Sequence, residues 1–304
     1  MNEKQFAAID IGSNAVRLLI KCVSDDANEH ELKKQLMVRV PIRLGQDSFV
    51  AGRISDAKFK KLLKLMKAFK HLMKVYEVTE FRACATSAMR DAENSSHIVK
   101  EISQKTGIKI NIITGQEEAA IIYESHFADS LNKKLNYIYV DVGGGSTEIT
   151  LIVEGEMIQS KSYDIGTVRL LNKRVEESEY EKLRNDLSEI KSKYVISDII
   201  GSGGNIIKLS TLANPKKSEN LTLQKLENIS GILNKFTVPE LMEKFNLRAD
   251  RADVITHAAS IYIEVAKGIG VESFIVPRIG LSDGIVHLLY ENWKQQTLEK
   301  SIEN

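Results

Sequence analysis

The stretches AAIDIGSNAVRLLI (Ala7–Ile20) and YIYVDVGGGSTEITLI (Tyr137–Ile152) follow one design. Each is an apolar, β-branched run that ends in Asp-x-Gly, passes through a loop of small residues and enters a second apolar run. An internal repeat of this kind describes an architecture. It predicts two related lobes, each with a strand hairpin presenting one acidic residue and one loop of exposed backbone amides. Two such loops would make a clamp for phosphate groups, with carboxylates available to a metal ion.

Outward from the first copy, residues 5–10 and 15–23 read as a β-hairpin and 31–43 as a further strand. Ser55 caps a helix in which Phe59, Leu62, Leu63, Met66, Phe69 and Met73 share one face. The other face carries Lys58, Lys60, Lys61, Lys64, Lys67, Lys70 and Lys74, a pattern of solvated surface or of docking to an anionic partner. A strand at Glu80–Ala85, a helix over Ala88–Thr106, a strand at Ile108–Thr114 and a helix over Gln116–Phe127 complete the first half. The polar stretch around Ala128–Asn136 suits an interdomain connection. After the second hairpin, a Glu154-Gly155 turn leads into another strand, and a long charged helix covers Val168–Tyr194. The strand Val195–Ile200 runs into Gly201-Ser202-Gly203-Gly204-Asn205 and a helix over Ile206–Leu212. A polar loop at 213–222, two or three helices, the strand Ser273–Val276, the loop Arg278–Gly284 and a final helix follow. Strands alternate with helices in both halves, which points to α/β lobes with mixed sheets, residues 1–127 and 128–304. The last helix, about 285–304, is placed to pack back on the first lobe.

Composition narrows the function. With 304 residues, 43% hydrophobic and 27% charged, the chain suits a soluble protein of two domains. No apolar run reaches the roughly 20 residues of a membrane span. The opening Met-Asn-Glu-Lys-Gln-Phe has no apolar signal region, so a cytoplasmic protein is expected. Cys22 and Cys84 lack metal-ligand spacing and read as buried free thiols. Balanced charge, 42 basic against 41 acidic residues, leaves attraction of a polyanion to local clustering. The six histidines show no paired spacing for zinc.

The chemistry lies in the loops. In Asp10-Ile11-Gly12-Ser13-Asn14 the residues suit a tight hairpin turn as well as a phosphate contact. In Asp141-Val142-Gly143-Gly144-Gly145-Ser146-Thr147-Glu148 the run of glycines exceeds what a hairpin needs, and it fits backbone N–H groups closing on an oxyanion. Gly203, Gly204 and Asn205 open a helix, whose N-terminus offers further amides, although a simple strand-to-helix turn reads equally well. Asp10, Asp141 and Glu148 could hold Mg²⁺, which takes oxygen ligands and keeps several waters. Glu117 and Glu118 begin a helix, where acids suit the dipole and where one could also serve as a base.

These residues, taken together with ATSAMRDAEN (Ala85–Asn94), ITGQEEA (Ile113–Ala119), IGTVRL (Ile165–Leu170), RADVI (Arg251–Ile255) and GLSDGI (Gly280–Ile285), resemble the exopolyphosphatase and guanosine pentaphosphate phosphatase family over nearly the full chain. The resemblance implies two ribonuclease-H-like lobes of the actin-like ATPase superfold, with an interdomain cleft. It implies hydrolysis of a terminal phosphoanhydride with Mg²⁺ or Mn²⁺, and Glu118, the second glutamate of the family's GxEEA segment, as catalytic base. It puts Gly12, Ser13 and Asn14 on one phosphate loop and Gly143, Gly144, Gly145, Ser146 and Thr147 on the other. Arg90 becomes a phosphate clamp, and Arg43, Lys208 and Arg251 become candidate polyanion contacts. The partners expected are inorganic polyphosphate or guanosine pentaphosphate, with no nucleic-acid polymer and no membrane; a homodimer is left open. Three features depart from the family pattern: Ala15 where serine or threonine is common, Ala120 where arginine is common, and no C-terminal helical extension. The alternatives are an actin-like ATPase or small-molecule kinase, and a catalytically weak sensor of polyphosphate or alarmone.

Overall fold

A computed structural model of the chain describes residues 4–23, 32–124, 131–214 and 220–302. The chain divides into two compact units, Met1–Ala128 with Gly280–Asn304, and Asp129–Ile279.

The first unit is built on a five-stranded sheet of order β3-β2-β1-β4-β5. Its strands are β1 (Lys4–Ile11), β2 (Val16–Val23), β3 (Lys33–Val40), β4 (Glu80–Ala85) and β5 (Ile110–Ile112). β1 pairs antiparallel with β2 and parallel with β4. Phe6 through Ile11 are all buried, which is why this central strand reads as a continuous apolar run and not as an alternating one. β3 stops at Val40, short of the strand expected over 31–43, and helix α1 (Leu44–Ala51) follows it. Arg43 takes the left-handed conformation (φ 59°) and turns the chain into it. Helix α2 (Asp56–Val75) has Ser55 as its cap and buries Leu62, Met66, Phe69 and Met73.

The helix expected over Ala88–Thr106 is divided into α3 (Ser87–Arg90) and α4 (Ser95–Thr106). The break lies where the Asn94 carboxamide bonds both the N–H and the C=O of Ile54 (3.0 and 2.8 Å), a tertiary tie that no local signal announces. Helix α5 (Gly115–Tyr123) follows β5, and the end of its expected range, 125–127, lies outside the described residues. The terminal helix α13 (Leu281–Ile302) belongs to this unit and packs on β1, β2, β4 and α5. Tyr290 and Trp293 meet the Phe6 ring edge-on at 6.1 and 6.0 Å.

The second unit has a six-stranded sheet, order β10-β11-β9-β6-β7-β8. The strands are β6 (Tyr137–Val142), β7 (Thr147–Val153), β8 (Glu156–Tyr163), β9 (Asp198–Ser202), β10 (Leu221–Thr222) and β11 (Ser273–Ile275). The Glu154-Gly155 turn has positive φ at both residues (52° and 81°), as a tight two-residue hairpin requires. Its antiparallel β6-β7-β8 meander with β9 parallel to β6 repeats the β1-β2-β3 meander with β4 parallel to β1. The internal repeat is therefore a repeat of topology.

The long helix expected over Val168–Tyr194 is again two, α6 (Thr167–Leu171) and α7 (Glu177–Lys193), divided where Lys173 adopts φ 55°. Helix α8 (Gly204–Ala213) follows β9. The expected loop at 213–222 falls partly outside the described residues, and four helices follow it where two or three were expected: α9 (Leu223–Leu233), α10 (Val238–Phe245), α11 (Ala249–Ala252) and α12 (Ile255–Ile269). α12 is the central helix of this unit, with Ala258, Ala259, Tyr262, Val265 and Ala266 fully buried.

Candidate functional site

In the first unit, Asp10 and Arg17 face each other across the β1-β2 hairpin, and Arg17 Nη1 donates to Asp10 Oδ2 at 2.6 Å. Only 4% of Asp10 is exposed, so this ion pair neutralises a nearly buried carboxylate. The Gly12 N–H donates to Ala15 O (3.1 Å) and closes the turn. Ser13 uses its hydroxyl inside the protein, bonding Ser87 Oγ at 2.8 Å and accepting from Ala88 N at 3.2 Å. The carbonyls of Ser13 and Asn14 accept from Gly45 N and Arg43 N, both at 2.9 Å, at the start of α1. In a planar trans peptide the N–H points opposite to the C=O, so these bonds turn the amides of Asn14 and Ala15 away from α1.

The second loop uses the same device more fully. The Gly143 carbonyl accepts from Thr167 N (3.1 Å), that of Gly144 from Val168 N (2.7 Å), and that of Gly145 from Arg169 Nε (2.6 Å). All three donors come from the start of α6, so the amides of Gly144, Gly145 and Ser146 are turned to the other side. Gly166, in the IGTVRL segment, makes the approach possible, because a Cβ there would collide with the backbone of Gly144 and Gly145. Ser146 and Thr147 are buried, with hydroxyls donating to Glu148 Oε1 (2.7 Å) and to the Ile165 carbonyl. Their side chains shape the loop, and its backbone is what it can offer a ligand.

Asp141 and Glu148 are register partners on β6 and β7. Glu148 is buried and also accepts from Ser162 Oγ at 2.9 Å. Beneath them Tyr262 of α12 donates to the Ser202 carbonyl. Burial, with added repulsion from Asp141 and Glu148, holds its phenol well above the usual tyrosine range. At the third loop, Gly203 has φ 97°, a conformation that glycine supplies without strain, and a Cβ there would sit 3.0 Å from Asp141 Oδ1. Arg251 Nη2 lies 2.9 Å from where a Cβ on Gly204 would be, so Arg251 covers the start of α8. Asn205 and Lys208 are half-buried in the first turns of that helix.

Glu117 and Glu118 differ in use. Thr114 and Glu117 form a capping box: Thr114 N donates to Glu117 Oε2 (2.7 Å) and Glu117 N to Thr114 Oγ1 (3.1 Å). Those bonds from Thr114 hold the Glu117 carboxyl below its usual range. Glu118 is half-buried on the next position. Burial pushes the Cys84 thiol up to about 11, with Asp10, Glu118 and Glu117 adding to the rise against Arg82, so these acids share the Cys84 neighbourhood. Asp10 and Cys84 are adjacent in the β1-β4 ladder. Arg90 Nη1 donates to the Ile113 carbonyl at 3.0 Å, clamping the chain just before the α5 cap. From the other side α13 closes on α5: a Cβ at Gly284, in GLSDGI, would collide with the Ile121 backbone.

The model of the Ppx/GppA phosphatase family matches residues 22–292. The chain belongs to that family. It is 25% identical to a guanosine-5′-triphosphate,3′-diphosphate pyrophosphatase of Aeromonas hydrophila, over 96% of this chain and 60% of that protein. It is 27% identical to exopolyphosphatase 2 of Mycobacterium tuberculosis, over 92% of this chain and 96% of the relative. Thus the chain spans under two thirds of the first relative and almost all of the second. The crystal structure of an exopolyphosphatase from Cytophaga hutchinsonii superposes with a TM-score of 0.83 at 20% identity, covering 95% of this chain and 98% of that one. The Ppx/GppA structures have the two-lobe actin-like ATPase fold, and the two mixed sheets here match it.

Within this family fold, several supporting residues escape a reading by motif. Arg17 pairs with Asp10, Ser87 with Ser13, Ser162 with Glu148, and Tyr262 lies under β6 and β9. Arg17 and Arg169 sit inside segments noticed for their neighbours, yet nothing local says which carboxylate or carbonyl each would reach. Among the described residues no group of three or more His, Cys, Asp or Glu side chains could hold a metal ion. The pair Asp141 and Glu148 remains a fit for Mg²⁺, which is commonly held by one or two carboxylates with the rest of its shell from water and substrate phosphate.

Proposed function

We propose that this chain is a phosphoanhydride hydrolase that releases terminal orthophosphate from inorganic polyphosphate or the 5′ phosphate of guanosine pentaphosphate by attack of water. One observation carries the reading: three successive carbonyls of the glycine loop are held by α6, which turns three successive amides to the opposite side as an anion nest. Family membership and the names of the Aeromonas and Mycobacterium relatives support the same chemistry.

In this reading the amides of Gly144, Gly145 and Ser146 bind terminal phosphate oxygens, with those of Asn14 and Ala15 as the second loop, while the Gly143 and Gly12 N–H groups close their own turns. Glu118 orients the attacking water and accepts its proton. Glu117 is bound to its capping role and leaves that task to its neighbour. Asp141 and Glu148 would hold Mg²⁺ or Mn²⁺, which when bound neutralises phosphoryl charge. Asp10, tied to Arg17, takes part through the electrostatics of the first loop. Gly203, Gly204 and Asn205 add amides at the start of α8. Arg90, Arg43, Lys208 and Arg251 contact phosphates further along the substrate. The protein acts in the cytoplasm on a soluble polyanion; among the described residues no helix is long and apolar enough to cross a membrane.

The test is phosphate release from short polyphosphate, long polyphosphate and guanosine pentaphosphate in parallel, with ATP and candidate acceptors as a further arm. Release from at least one of the first three is expected. Turnover of ATP alone would replace this reading with a kinase or ATPase, and tight binding with no release would replace it with a sensor.

A further inference from the structure

β5 is the end strand of the first unit's sheet, and only β4 pairs with it among the described residues. The Ile113 N–H turns inward to Ala85 O at 3.0 Å. In a parallel ladder successive residues alternate in direction, so the N–H and C=O of Ile112 and Ile110 turn to the open edge. Beside that edge runs a groove of ≈ 620 Å³ between β5 and α4. Its apolar floor comes from Val99, Ile110 and Ile112, its cations are Lys100 and Lys109, and Ser103 adds a hydroxyl. Among the described residues no acidic side chain lines it. Glu101, the nearest acid along α4, is paired with Lys105.

We propose that this groove is a docking site for an extended acidic peptide segment of another protein, which adds a strand to β5. Main-chain bonds to Ile110 and Ile112 would give affinity, alternate apolar side chains would enter the floor, and acidic side chains would meet Lys100 and Lys109. Charge decides between occupants. A second copy of this chain pairing through β5 would bring the same lysines together, and lysine on an edge strand opposes self-pairing. A bare polyanion would meet the lysines but leave the outward carbonyls and the apolar floor unmatched, because phosphate oxygens only accept. A peptide supplies donors, acceptors and side chains together. The occupied strand would lead directly into Ile113, held by Arg90, and into the Thr114 cap of the helix that carries Glu118.

The experiment uses the full chain and a fluorescein-labelled peptide, Asp-Val-Asp-Val-Asp-Val, in an anisotropy titration. Compared with it are the peptide with lysine for aspartate, the acidic peptide N-methylated at alternate amides, and inorganic polyphosphate as competitor. The acidic peptide is expected to bind, and N-methylation to weaken it at least tenfold. The Lys100→Glu, Lys109→Glu double variant should lose the acidic peptide to the same degree and prefer the lysine peptide. Equal binding of the N-methylated peptide would overturn strand addition, and so would absence of binding by the acidic peptide. Displacement by polyphosphate with no effect of N-methylation would make the site a general anion patch. A concentration-dependent dimer that the double variant changes would assign the face to a second copy.

Discussion

At the scale of single residues, adjacent glutamates carry different burdens. Replacing Glu117 by alanine removes the capping box and should cost about 1 kcal/mol of stability while leaving most turnover. Glu118→Gln should do the opposite: an unchanged melting temperature and a loss of phosphate release of about 10²–10⁴-fold, with Mg²⁺-dependent polyphosphate binding retained. Equal turnover in Glu118→Gln and wild type would remove Glu118 as the base. Cys84 offers a test by pH. Its thiol is held up to about 11 in the folded protein against 9.0 for an ordinary thiol. The folded state thus keeps a proton that the unfolded state gives up. The associated stability is complete below pH 9 and is lost as pH rises through 11. Two pH units correspond to roughly 3 kcal/mol. Chemical denaturation between pH 8 and 10.5 should fall more steeply for wild type than for Cys84→Ala, and parallel slopes would contradict this.

At the scale of elements, each hairpin loop is held by the helix that follows the third strand, α1 in one unit and α6 in the other. Gly166 is the point of closest approach. Gly166→Ala should displace the loop it supports, costing about 1–3 kcal/mol as an overpacked substitution does, and reducing phosphate release more than Gly155→Ala does. Thermal unfolding and a phosphate assay on both variants would check this. The hairpins themselves were legible, because apolar runs broken by Asp-x-Gly leave few other conformations. The divided helices were not. Neither 91–94 nor 172–176 contains glycine or proline, and the divisions follow from the Asn94 bond to Ile54 and the left-handed Lys173. Of the proposed site, the glycine loop stood out by its composition, but the direction its amides face depends on IGTVRL, some twenty residues on.

At the scale of the molecule, the chain ends by completing the unit in which it began. Ending it at Ile279 would strip Tyr290 and Trp293 from Phe6 and uncover β1. Hydrogen exchange should then show β1 and β2 losing protection while β6 and β7 keep theirs; equal loss in both hairpins would refute this division. Chelation with EDTA should abolish phosphate release and addition of Mg²⁺ restore it, with little change in melting temperature, since the fold has no metal cluster of three or more ligands among its described residues. The sequence by itself determined the repeated hairpins, the family and the residue types at the loops, because these follow from local periodicity, glycine runs and an ordered set of motifs. Only the tertiary structure decided that Ser13 spends its hydroxyl on Ser87, that Glu117 caps α5 beside Glu118, and that α6 turns the amides of the triple-glycine loop outward. Each of those outcomes depends on a partner distant along the chain or on the direction of a peptide plane, and neither is written in the order of residues.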